Sequence, residues 1–134
     1  MGNKLNFTLS ELIHSDTALK NNINNMPDIV ALDNLLNLIF YCLQPIRDKL
    51  NKPMIITSGY RSKALNSLVG GVSSSQHLKG QAADFCVPSM SVGDVISFMR
   101  TCNIEYDQLI NEYERWVHIS YVKGKNRKSI IKLH

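Results

Sequence analysis

Residues 75–88 read SQHLKGQAADFCVP, and this stretch separates two halves of different texture. Its second part, Ala82-Ala83-Asp84-Phe85-Cys86-Val87, is a short apolar run between Gly80 and Pro88, the pattern of a buried strand. Upstream, residues 28–50 carry the strongest helical signal. Leu32, Leu35, Leu36, Ile39, Leu43, Ile46 and Leu50 recur at three- and four-residue steps. Pro45 removes one donor and predicts a kink or division near Leu43. Residues 7–20 read as a shorter helical segment capped by Ser10, with Leu12 and Ile13 inward, and residues 21–27 as a polar loop. Met54–Thr57 reads as a β-run, residues 61–68 as a helical turn, and residues 69–75 as a Gly- and Ser-rich loop.

Downstream, residues 91–102 read as a helix with Ser91 as N-cap and Asp94 completing part of a capping box. Two strands follow, Tyr106–Asn111 and Trp116–Val122, then a turn at Lys123–Asn126 and a last strand, Ser129–Leu133. This order predicts an α+β fold: a small, mostly antiparallel sheet with N-terminal helices packed on it, as one domain over residues 1–134.

Composition narrows the function classes. Apolar residues make up 44% and charged residues 19%, which suits a packed core. The net charge of +4 favours acidic partners without choosing among them. No helix-turn-helix or aromatic-basic RNA motif accompanies that charge, so no nucleic-acid partner is expected. Cys42, Cys86 and Cys102 cannot all pair and form no CxxC unit, so they read as buried thiols. No unbroken apolar run of membrane-spanning length is present, so no membrane insertion is expected. The N-terminal residues lack an apolar leader core, and Asn6 spoils the myristoylation pattern at Gly2.

Four polar residues stand against apolar neighbours: His77 after the Ser-rich loop, Asp84 inside its strand, Glu112 at a strand end and His118 in WVHISY. An ionised carboxylate in an apolar strand is costly without a partner or a cation. Two His and one Asp are a suitable set for a catalytic zinc, leaving a fourth position for water, and a nearby free carboxylate could take that water's proton. Each residue alone also has a plain reading, as a surface His, a core His or a hydrogen-bonded acid.

The stretch Ser75-Gln76-His77-Leu78-Lys79-Gly80-Gln81-Ala82-Ala83-Asp84 resembles the S-x-H-x-x-G-x-A-x-D signature of the M15-type zinc peptidases. These include D-alanyl-D-alanine carboxypeptidases and bacteriophage endolysin peptidases, and they share the hedgehog/D-Ala-D-Ala peptidase fold. Ser58-Gly59-Tyr60-Arg61-Ser62 with Leu65-Asn66 and Val69-Gly70-Gly71 is similar to a second block, and Gln108-Leu109-Ile110-x-Glu112 with Trp116–Ser120 to a third. The likeness runs from about Phe7 to Tyr121.

The resemblance implies one zinc per chain, held by His77, Asp84 and His118. It implies Arg61 as the residue that binds substrate oxygen and stabilises the oxyanion, with Ser75, Gln76, Tyr60 and Trp116 around the substrate. Many members carry Glu three residues before the last His; Arg115 stands there in this chain. Glu112 and Glu114 remain as the base, since both would share a face with His118 in a straight strand; the resemblance favours Glu112. The implied function is hydrolysis of peptide bonds in peptidoglycan stem peptides, of carboxypeptidase or endopeptidase type, by a monomer. The alternative is a non-catalytic zinc-bound module of the same fold that binds cell wall or protein. The missing leader fits a phage-encoded enzyme made in the cytoplasm that reaches the wall through a holin or in a virion.

Overall fold

The apolar periodicity of residues 28–50 produces one long helical run with a single interruption. In the computed structural model, which describes residues 5–134, α3 (Ile29–Leu38) begins at Asp28, whose carboxylate accepts from the Ala31 N–H. The N-terminal residues read above for a leader and for Gly2 lie outside the described residues. α3 passes through a π-helical turn, Ile39–Leu43, into α4 (Gln44–Leu50). The interruption sits where Pro45 predicts it. Pro45 has no N–H for the Tyr41 carbonyl, and just before it the Gln44 N–H reaches back five residues to the Ile39 carbonyl. The wider turn shifts the buried stripe. Leu35, Leu38, Ile39, Cys42, Leu43, Ile46 and Leu50 are buried, whereas Leu32 and Leu36 are half-buried. By length and composition alone, the helical run Ile29–Leu50, whose most apolar 18-residue window has a mean hydropathy of 1.5, is long and apolar enough to cross a membrane. In this fold its buried face belongs to the core.

Residues 7–20 form two short helices instead of one segment. Thr8, not Ser10, caps α1 (Leu9–Ile13), because Glu11 completes a reciprocal capping box with it. Ser15 caps α2 (Asp16–Lys20). α5 (Lys63–Leu68) and α6 (Val92–Arg100) match their expected positions, and Ser91 caps α6 as read.

The five strands are β1 (Ile55–Ser58), β2 (Ala82–Cys86), β3 (Gln108–Glu112), β4 (Trp116–Ser120) and β5 (Ser129–Leu133), in the order β1-β2-β4-β3-β5. β1–β2, β2–β4 and β3–β4 pair antiparallel, while β3–β5 is parallel. The sheet is therefore mixed. β2 and β3 already occupy both edges of β4, so β5 joins the outer edge of β3 after its turn.

Strand alternation gives the sheet two unlike faces. Ala83, Phe85, Leu109, Val117 and Ile119 are completely buried and join Leu35, Leu38, Leu43 and Ile46, with Val95 and Met99 of α6, in one core. Asp84, His118 and Glu112 occupy the intervening positions on the opposite face. Gly80 ends a 3-10 turn, Gln76–Lys79, with φ +72°, and a Cβ there would overlap the Ala31 carbonyl of α3. The turn that carries His77 is thus pressed directly onto the helical layer. The three cysteines are free; Cys42 is buried as expected, but Cys86 and Cys102 are half-buried.

Leu35→Ala should lower the unfolding free energy by about 3 kcal/mol, from lost burial plus a residual cavity. Leu19→Ala, at a side chain 70% exposed, should change it by less than about 0.5 kcal/mol. Urea titration with an unchanged slope would check both.

Candidate functional site

Asp84 and His118 are direct cross-strand partners in the β2–β4 ladder. Opposite side chains in an antiparallel pair lie on the same face, which sets the two groups side by side. The His118 Nδ1 stands 2.9 Å from Asp84 Oδ1. His77 reaches the same carboxylate from the 3-10 turn, its Nε2 3.4 Å from Asp84 Oδ2. The two imidazoles meet edge-on, with centroids 5.1 Å apart. All three residues are buried, and their ligand atoms lie within 4.8 Å of one another.

The donor set fits a metal. A carbonyl can only accept, so the 2.7 Å contact between His77 Nδ1 and the Gly59 carbonyl puts the proton on Nδ1 and leaves Nε2 bare. That is the outer-sphere arrangement that orients a metal-binding imidazole. A bulge at Thr57, where Ile56 pairs with Phe85 but Ser58 with Asp84, brings β1 to its end beside the site. The Arg61 N–H donates to the His77 carbonyl at 3.1 Å, tying the two loops together. Burial pushes the Asp84 carboxyl up, yet the hydrogen bond from His118 and the closeness of both imidazoles win, holding it down at about 2.

Glu112 and Glu114 part company at the hairpin. Glu112 pairs with Trp116 and so shares the face of His118; its Oε1 is 3.7 Å from His118 Nδ1. Tyr113 and Glu114 both take left-handed backbone with φ 59°, so the straight-strand expectation fails there. Glu114 Oε2 instead accepts from Asn111 Nδ2 at 2.8 Å and faces Lys132 at 3.4 Å. Asn111 alternates with Glu112 and points to the other side of the sheet, which carries Glu114 away from the histidines.

Arg61, Ser75, Gln76, Trp116 and Glu112 line one cleft of about 750 Å³ with the three buried residues. Tyr60 does not reach it. Tyr60 lines an adjoining cavity of about 470 Å³ that shares Arg61, Asp84 and Trp116 and also holds His14 and Asp16. His14 pairs there with Asp16 at 2.9 Å. Arg61 Nη1 donates to Asn66 Oδ1 at 3.0 Å, and Asn66 Nδ2 donates to the Val72 carbonyl at 2.9 Å. A Cβ on Gly71 would overlap Asn66 Oδ1 and come 2.8 Å from Arg61 Nη1, so glycine is needed for this cradle. Burial lowers the Arg61 pKa, while Asp84 and Glu112 favour its charge. Ser75 Oγ accepts from the His77 N–H at 3.2 Å, so it caps the turn that presents His77.

Two contributors were missed in the sequence. Asp107, 2% exposed, accepts from Gln76 Nε2 at 2.8 Å and from the backbone N–H, Nε and Nη2 of Arg127 at 3.0, 2.8 and 2.8 Å. These hydrogen bonds, those from Arg127 first, hold the Asp107 carboxyl well below the usual carboxylate range. Its signal was the one that marked Asp84: a charged residue beside an apolar strand. Arg127 stands among Lys123, Lys125, Lys128 and Lys132, and nothing in that basic stretch sets it apart.

The chain matches the family described as Peptidase M15 over residues 5–120. No curated protein matches it.

Purified protein should bind one zinc per chain by elemental analysis, and Asp84→Ala or His118→Ala should lose it during competition with a chelator. Asp107→Asn should cost about 2 kcal/mol of stability at neutral pH. A carboxyl whose folded pKa is depressed stabilises above its unfolded value, and that contribution fades as pH falls through the folded one. The gap between wild type and Asp107→Asn should therefore hold down to about pH 4 and close below it, as followed by acid-dependent thermal unfolding.

Proposed function

From the premise that the chain belongs to the peptidase M15 family, we propose that it hydrolyses peptide bonds in peptidoglycan stem peptides. The family is zinc-dependent, and the chain is a zinc metallopeptidase in the general sense. The observation that carries the finer reading is the convergence, in one cleft, of the His77–Asp84–His118 group with the Glu112 carboxylate and the Arg61 guanidinium. The likeness of three ordered motifs to wall-cleaving peptidases supports the substrate class, and so do the cationic groups of the cleft and the net charge of +4, which suit an anionic wall.

His77, Asp84 and His118 would hold the ion. Zinc bound there supplies Lewis acidity toward a carbonyl oxygen and makes a water easier to deprotonate. Glu112 then acts as the base: its carboxylate takes the proton from the attacking water and passes it to the leaving amine. Its short distance to His118 and its position on the cleft wall support this role over Glu114. Arg61 offers the scissile carbonyl a fixed cation as negative charge develops on oxygen, and Asn66 holds that guanidinium in place. Ser75 and Gln76 stand at the cleft wall beside the reacting bond, and Trp116 supplies an apolar surface.

Mass spectrometry of purified peptidoglycan incubated with the protein tests the proposal. The expected result is release of alanine or of a defined stem fragment, abolished by chelator. A zinc-loaded protein that releases nothing from several wall types would overturn it in favour of a binding module. Glu112→Gln should retain zinc and lose at least about 10²-fold in kcat. Glu114→Gln should keep wild-type turnover. Arg61→Met should lower kcat/KM by about 10²-fold.

A further inference from the structure

Asp107 is saturated. A carboxylate offers about four acceptor positions, and this one receives four N–H groups, three from Arg127 and one from Gln76. Two consequences follow for the cleft. The Gln76 amide must turn its NH₂ to Asp107, because a carboxylate in this state cannot donate, so its Oε1 is directed elsewhere. Among the described residues no donor engages that Oε1. Arg127 uses only Nε and one hydrogen of Nη2 on Asp107, so three of its side-chain N–H groups have no partner among the described residues, and two of them form its outer edge. The Arg127 side chain is 62% exposed, and both Arg127 and Gln76 line the cleft.

The position is built, and it is specific to one cation of the C-terminal run. Lys128 and Lys132 pair outward with Glu105 and Glu114, and Lys123 lies over the Tyr41 ring. Only Arg127 among these basic residues lines the cleft. The parallel seating of β5 on β3 fixes it there, with the Lys128 N–H on the Tyr106 carbonyl and the Ser129 N–H on the Asp107 carbonyl. Arg127 also lies beyond residues 5–120, the stretch shared with the family.

We infer that Gln76 and Arg127, clamped by Asp107, form a carboxylate-recognition site on the cleft wall, with Arg127 gripping a substrate carboxylate and Gln76 Oε1 accepting the neighbouring peptide N–H. Asp107 is the positioning residue, since it saturates itself on the two groups that meet the substrate. The planar outer edge of a guanidinium matches a carboxylate bidentately, which a lysine cannot do. The inference rests on the peptidase reading for its substrate. The carboxylate is either the C-terminal one of the stem peptide or that of its internal acidic residue.

The test uses zinc-loaded Glu112→Gln protein, which holds substrate without cleaving it, and follows binding by the emission of Trp116, the single tryptophan. Three probes are titrated: a stem pentapeptide with free carboxylates, the same peptide amidated at its C-terminus, and the same peptide amidated at its internal acid. One amidation should weaken binding about tenfold, and which one identifies the carboxylate. Arg127→Lys added to that background should weaken the free peptide about tenfold and abolish the discrimination, while the cation retained beside Asp107 keeps the melting temperature close to its parent. Equal affinity for all three peptides, no binding of any, or discrimination that survives Arg127→Lys would overturn the inference. Discrimination by a protein whose wild type cleaves no wall would sink the peptidase reading alone; cleavage without discrimination would sink this one alone.

Discussion

The site depends on a ladder register. Asp84 faces His118 because β2 and β4 pair antiparallel with those two residues directly opposed. Side chains alternate with a period of two, so a slip by one residue would send both groups into the helical layer and bring Phe85 and Val117 to the cleft. The core prevents that slip. Ala83, Phe85, Val117 and Ile119 are completely buried against the helices, and their burial locks the opposite face by geometry. Stability and chemistry are thus written into alternate positions of the same two strands.

Around that pair, backbone carbonyls and buried side chains hold the groups that alternation cannot place. His77 lies on no strand. The Gly59 carbonyl orients its ring, the Arg61 N–H holds its own carbonyl, and Gly80 lets its turn press against α3. Arg61 is held by Asn66, which Gly71 leaves room for. Gln76 and Arg127 are held by Asp107. His77, Arg61, Gln76 and Arg127 therefore each have a partner outside the cleft that limits their motion, the arrangement that keeps reacting groups preorganised.

The hairpin between β3 and β4 shows how a local backbone choice assigns chemistry. Two consecutive left-handed residues, Tyr113 and Glu114, reverse the chain within three positions. Glu112, before the reversal, stays on the face of His118, and Glu114, within it, is drawn to Asn111. Neither Tyr nor Glu advertises a left-handed turn, so spacing alone treats the two glutamates alike. The π-helical turn before Pro45 is the opposite case: a missing donor is legible in the chain, and the helix widens beside it.

Much was legible in the sequence because it depends on local pattern. Apolar steps of three and four marked the long helix; Ser91 marked the start of α6; the isolation of His77, Asp84 and His118 among apolar neighbours marked them as candidates, and the motif likeness singled them out as a metal group. The motif likeness added Arg61 and its loop. What local pattern does not carry is pairing between distant segments. The crossing of β5 to the outer edge of β3, the cradle of Asn66 around Arg61, and the Asp107 clamp that joins position 76 to position 127 are contacts between segments the chain order leaves far apart. Residue types and periodicity set which groups are costly to bury. Only the packed sheet and its loops decided which partners meet them, because a buried charge takes its partner from whatever the fold brings within hydrogen-bonding distance.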